Sequence, residues 1–158
     1  MGRRYTVPIA AVASPAAIWD AWELLTLDNK PGKIIRIVLG QTTDLQDANE
    51  EALTCSIIRG HTTSGSGGST TTPQPLDDID TAAGLVAETM NTTIASLGTA
   101  ETTHVIVFNL RVGLDHIFPP GSEPKIHQVI DTDRHVVRIS APADAVTVSG
   151  YLEFEEGT

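Results

Sequence analysis

From about Trp19 onward, apolar residues recur at every second position in short runs, and the runs are separated by Gly, Pro, Asn and Asp. A period of two sends successive side chains to opposite faces of a strand. No stretch between the runs is long and helical enough for βαβ units, so the core has to come from strands. The strongest run covers residues 104–113, with Ile106, Phe108, Leu110 and Val112 on one face and Asn109 and Arg111 on the other. Residues 114–118 read as its continuation past a bulge at Gly113. Leu53, Cys55 and Ile57 alternate with Thr54 and Ser56, and Val137 and Ile139 flank Arg138. Val146, Val148, Leu152 and Phe154 oppose Thr147, Ser149, Tyr151 and Glu153.

Residues 18–27 and 33–40 read as a hairpin closed by the turn Asp28-Asn29-Lys30-Pro31-Gly32, with Ile35, Ile37 and Leu39 facing away from Arg36. Residues 85–91 read as a weak strand and 77–83 as one helical turn. The sum is eight or nine short strands with long loops. That predicts an all-β fold: an antiparallel two-sheet sandwich, jelly-roll-like. The division expected is an N-terminal arm over 1–17 and a single β-sandwich domain over 18–158.

A chain of 158 residues buries roughly 70% of its unfolded surface. With aromatics at 4%, that core must be aliphatic. The formal net charge of −10 argues against nucleic acid or a membrane surface as a partner and favours a basic protein surface. The single cysteine, Cys55, excludes an intrachain disulfide, and its alternating context predicts a buried small hydrophobe.

The Gly/Ser/Thr/Pro stretch over 60–76 invites a phosphate-loop reading. Gly60 and Gly65 have the P-loop separation, but Ser66 stands where the lysine belongs. The expectation is an exposed loop, mobile or ordered by a neighbouring subunit. His61, His104, His116, His127 and His135 contain no close-set pair, and only His116 with His127 offers a cupin-like convergence. The acidic clusters Asp44, Asp47, Glu50, Glu51 and Asp77, Asp78, Asp80 lack the EF-hand pattern. No catalytic residue, cofactor or metal is therefore expected. Trp19, Trp22 and Tyr151 are either packing residues or a sugar-stacking platform.

Positive charge is concentrated at Arg3 and Arg4, beside Tyr5, Val7 and Ile9. One reading is an arm whose arginines pair with carboxylates of another subunit while Tyr5, Val7 and Ile9 pack there. The other is an ordinary edge strand with a solvated arginine pair.

Several segments together resemble short proteins encoded in tailed-phage and prophage genomes. They are Ile57-Ile58-Arg59-Gly60-His61 leading into Thr63-Ser64-Gly65-Ser66-Gly67-Gly68-Ser69, then Asn91-Thr92-Thr93, Phe108-Asn109-Leu110-Arg111-Val112-Gly113, and Pro142-Ala143-Asp144 with Ser149-Gly150-Tyr151-Leu152. None is a catalytic motif. The resemblance implies a virion protein, specifically a capsid decoration (cement) protein on the capsid exterior. Its partners would be the major capsid protein and itself, as a homotrimer. The alternative is a receptor- or carbohydrate-binding module on the head or tail.

Overall fold

The computed structural model describes residues 2–26, 31–42, 51–126 and 134–157. Among them are strands and turns but no helix. The strands are β1 (Arg3–Ala13), β2 (Trp19–Thr26), β3 (Gly32–Gln41), β4 (Ala52–His61), β5 (Ser69–Thr71), β6 (Gln74–Pro75), β7 (Leu85–Asn91), β8 (Glu101–Asn109), β9 (Leu114–Ile117), β10 (Lys125–Ile126), β11 (Arg134–Ile139) and β12 (Thr147–Glu156). They form two six-stranded sheets. Sheet A runs β10-β3-β12-β1-β6, with β9 also on β3, and sheet B runs β5-β7-β2-β11-β4-β8. Every pairing is antiparallel. The all-β, two-sheet sandwich expected from the alternation is the fold.

Two local expectations fail for one reason: consecutive strands change sheet. β2 and β3 lie in different sheets, so residues 18–27 and 33–40 are not a hairpin; positions 28–30 of the supposed turn lie outside the described residues. Likewise, the run over 104–113 ends as a strand at Asn109. The Arg111 N–H donates to Asn109 Oδ1 and the Gly113 N–H to the Asn109 carbonyl. Gly113, at φ +82°, then turns the chain into β9 of sheet A. Val112 is left 85% exposed instead of facing inward. Period two reports which face a residue occupies, not which sheet its strand joins.

The core lies between the sheets. From sheet A come Tyr5, Val7, Ile34, Ile37, Leu39, Leu152 and Phe154, and from sheet B Trp19, Trp22, Leu24, Cys55, Ile57, Val137 and Ile139, all essentially inaccessible. Tyr5 stacks on Phe154 at 5.4 Å. The Trp22 indole N–H donates to the Val7 carbonyl at 2.9 Å, so a buried donor is satisfied by tying one sheet to the other. A register shift opposite Glu153 and Phe154 skips Ile35 and turns Ile34 inward. Ile35, read as a core residue, is only half-buried.

The N-terminal segment is a strand and not an arm. β1 pairs with β12 from Arg3–Glu156 to Ala13–Thr147, and β6 covers its other side at Tyr5 and Thr6. Tyr5, Val7 and Ile9 are 0%, 0% and 4% exposed in the protein's own core, which removes them as an intersubunit contact. The boundary between an arm and a domain at residue 17 therefore does not exist. Residues 77–83 form no helical turn either: the Ile79 N–H donates to Asp77 Oδ1 and the Asp80 N–H to the Asp77 carbonyl, a side-chain-capped turn.

Candidate functional site

Charged side chains converge most densely on the outer face of sheet B. Strand register lays out two rows there: Glu88, Glu23, Val136 and Ile58 in one, and Asn91, Asp20, Arg138 and Ser56 in the next. Asp20 is fully buried and accepts Arg138 Nε at 2.6 Å on Oδ1. Its Oδ2 accepts an Arg138 terminal nitrogen at 3.1 Å and the Ala95 N–H at 2.7 Å, while Arg138 also donates to the Ala95 carbonyl. Glu23, 3% exposed, accepts the Ser64 hydroxyl at 2.7 Å and Arg134 Nε at 3.0 Å on Oε1. Its Oε2 accepts the Gly65 N–H and Asn91 Nδ2. Glu88, directly opposite Glu23, shares the Ser64 and Asn91 donors. Asp20 and Glu23 are each matched by a guanidinium and by donors on the loops above them, the condition for tolerating charge away from water.

Those loops are the Gly/Ser stretch and residues 92–97. Thr63 and Ser96 exchange two backbone hydrogen bonds, as do Ser66 and Thr93. Ala95 closes over Ile58 and Val136 in a small second apolar cluster. The Gly/Ser stretch is thus ordered by its own chain, not by a neighbouring subunit and not as a free loop. Its glycines allow close approach: a Cβ on Gly65 would meet the Thr93 carbonyl at 2.6 Å, and one on Gly68 would collide with the Thr89 carbonyl. His61 sits at this margin, 7% exposed, with Nδ1 3.3 Å from the Leu97 carbonyl.

The outer face of sheet A is open. Tyr151 lies there half-buried, opposite Val38 on one side and Pro8 on the other. The Arg36 guanidinium carbon is 5.8 Å from the Tyr151 ring centre. Arg36 grips Asp115 with two bonds of 2.8 and 2.7 Å, which hold the Asp115 carboxyl below the usual carboxylate range and the guanidinium above its own. A shallow cleft of 510 Å³ adjoins them, lined in part by Val38, Gly40, Val112 and Ser149. Trp19 and Trp22, grouped with Tyr151 from sequence, are core residues and cannot form a platform with it.

The remaining candidates resolve into packing. His104 and His116 both set their rings edge-on to Phe118, at 5.2 and 4.6 Å, while His127 lies outside the described residues. Arg3 pairs with Asp80 at 3.3 Å, and Arg4 with Glu153 at 3.1 Å and Glu155 at 3.7 Å. The arginine pair is therefore engaged within the chain, at side-chain exposures of 40% and 52%. Asp44, Asp47 and Glu50 lie outside the described residues, and no group of three metal-binding side chains occurs among the described ones. Burial pushes the Cys55 thiol up to about 12, so almost no thiolate exists near neutral pH.

One surface feature escaped the sequence reading. On β8, Val105 and Val107 are 61% and 66% exposed on the outer face while Phe108 enters the core. The signal was present, because Val105-Ile106-Val107-Phe108 is apolar without interruption. A run of that kind marks a strand with two apolar faces.

Comparison with protein-family models, with curated proteins and with solved structures finds no match to this chain.

Proposed function

We propose that this protein is a structural component of a tailed-phage virion. Its role is that of a capsid decoration protein, bound to the major capsid protein lattice on the particle exterior and stabilising the head. The setting rests on the sequence resemblance. The observation that supports a binding role over a catalytic one is the use made of the converging charges: Asp20, Glu23, Arg134 and Arg138 are paired with one another and with loop backbone, so they brace a surface. The strand orders β1-β12-β3-β9 and β2-β11-β4-β8 support the jelly-roll form of the sandwich, two interleaved four-stranded sheets to which β5, β6, β7 and β10 are additions. Three-fold and quasi-three-fold positions of a capsid lattice make a homotrimer the expected bound form. The acidic body suits a basic patch on a capsid protein and neither nucleic acid nor membrane.

The test is the copy number in purified particles. A lattice-bound protein is present in hundreds, and absence from the particle overturns the proposal. A second reading, a receptor- or carbohydrate-binding module, is favoured by the half-exposed Tyr151 ring on the open outer face of sheet A. Glycan binding that disappears in Tyr151→Ala, with few copies per particle, selects that reading instead.

A further inference from the structure

The four flanks of the two sheets are finished differently. Sheet A ends in β6, two residues of which one is Pro75, and on the other side in the short β9 and β10. Sheet B ends on one side in the three-residue β5. These are the usual protections of a sheet edge: shortness and proline. On its other side sheet B ends in β8, nine residues long, and among the described residues no strand pairs with its outer edge. From His104 to Asn109 that strand contains no proline and no carboxylate, lysine or arginine. Its one bulge lies at the far end, opposite Ile57 and Ile58.

The direction of the free backbone groups follows from alternation. The Leu110 N–H donates to the Glu51 carbonyl, which turns the backbone groups of Phe108, Ile106 and His104 towards β4. Those of Val107 and Val105 therefore point away from the sheet, into solvent. A solvent-facing row of unpaired N–H and C=O groups in a stretch this apolar takes a strand as its complement.

We propose that this complement is β8 of a second copy, paired antiparallel about a two-fold axis, so that sheet B continues from one protein into the other. Charge favours the copy. The chain carries −10, yet the only ionised residue on β8 is Glu101, already held by Arg59 at 2.6 Å. Full overlap of the strand centres the axis on Val105 and sets Glu101 of each copy opposite Asn109 of the other. The two Glu101 residues are then about 27 Å apart, several Debye lengths at physiological salt. An acidic protein thereby meets itself along a long edge that carries no unpaired charge, and Val105 and Val107 of both copies join into one apolar strip on the outer face. The contact is two-fold, distinct from the three-fold arrangement on a lattice, and it stands independently of the virion reading.

Sedimentation of the full chain from about 1 to about 100 µM tests it. The expected result is a reversible rise to twice the 16.8 kDa chain mass. Val105→Pro, which deletes only an outward N–H, should weaken the dimer about thirtyfold through the loss of two symmetric hydrogen bonds. Val105→Lys, which places like charges across the axis, should leave a monomer whose circular dichroism matches the parent. In the parent, the amides of Val105 and Val107 should gain exchange protection with concentration while those of Ile106 and Phe108 are protected throughout. A monomer at every concentration overturns the pairing, as does a dimer indifferent to Val105→Lys. A trimer in solution also overturns it while leaving the decoration reading in place, and a β8 dimer from a protein missing from particles does the reverse.

Discussion

The Arg36–Asp115 pair on sheet A stands in water, whereas the Arg138–Asp20 and Arg134–Glu23 pairs on sheet B are buried beneath two loops. The local geometries are alike: Arg36 holds Asp115 at 2.8 and 2.7 Å, and Arg138 holds Asp20 at 2.6 and 3.1 Å. The surroundings are not. The Asp115 side chain is 57% exposed and the Asp20 side chain 0%. In water, Coulomb attraction is screened and each partner is nearly as well solvated alone. Under the loops, a lone charge would have neither water nor counter-charge, so the pairs there hold the loops in place. Burial therefore decides what an ion pair contributes, and bond length does not.

The strongest way to break that contrast is to remove the cover. Deleting residues 64–69 takes the Ser64 and Gly65 donors from Glu23 and the Ser66 bonds from Thr93. Soluble, cooperatively unfolding protein should be lost, as read by expression and thermal melts. Normal folding of the deletion would mean that the loop only decorates sheet B. Next in size, Asp20→Ala strands Arg138 beneath Ala95 and should cost about 3–5 kcal/mol in urea denaturation. Asp115→Ala should barely move the same midpoint, and equal losses for the two would refute the distinction. Glu23→Gln keeps the shape but supplies one amide group where only acceptors fit, for a cost of about 1–3 kcal/mol. Its signature should be local: faster amide exchange at Gly65 and at the Ser66–Thr93 bonds before any change in β3 or β12.

The smallest effect sharpens the contrast on the sheet A side. Arg36 holds the Asp115 carboxyl below its ordinary value. Folding thus favours its charged form, and the pair contributes fully above the unfolded value of about 3.9. The contribution fades as the pH falls from there through the lowered folded value. Asp115→Asn should differ slightly from the parent at neutral pH and converge with it in acid. A gap that stays constant as the pH falls through the lowered folded value would mean that Asp115 acts by packing.

Face assignment was legible in the sequence wherever one residue type dominated a face. Val148, Leu152 and Phe154 are buried as their alternation required. Sheet membership was not legible, because Trp22 and Leu24 would face a core equally well in a hairpin or in a strand that crosses to the other sheet. The Gly/Ser stretch misled for a different reason. Its composition matches a flexible linker, but Gly65 and Gly68 are small because backbone passes against them. Buried Glu23 is what fastens that stretch, and it sits in β2 some forty residues earlier in the chain, where local pattern cannot reach. At the N-terminus, Arg3 and Arg4 signalled carboxylate partners correctly, but the carboxylates are Asp80, Glu153 and Glu155 of the same chain.

The place of β12 governs how this protein can be made. It lies between β3 and β1, paired with both, and it is the latest of the described strands to be synthesised. Until it leaves the ribosome, β1 and β3 have no common neighbour, and the inner faces bearing Tyr5, Val7, Ile37 and Leu39 have no closed layer to share. The nascent chain must therefore wait, apolar faces open, while more than a hundred residues follow β3. Closure is then a single late event of high contact order. A ribosome stalled just short of β12 should hold a protease-sensitive chain that binds chaperones, and emergence of β12 should convert it at once to the resistant form.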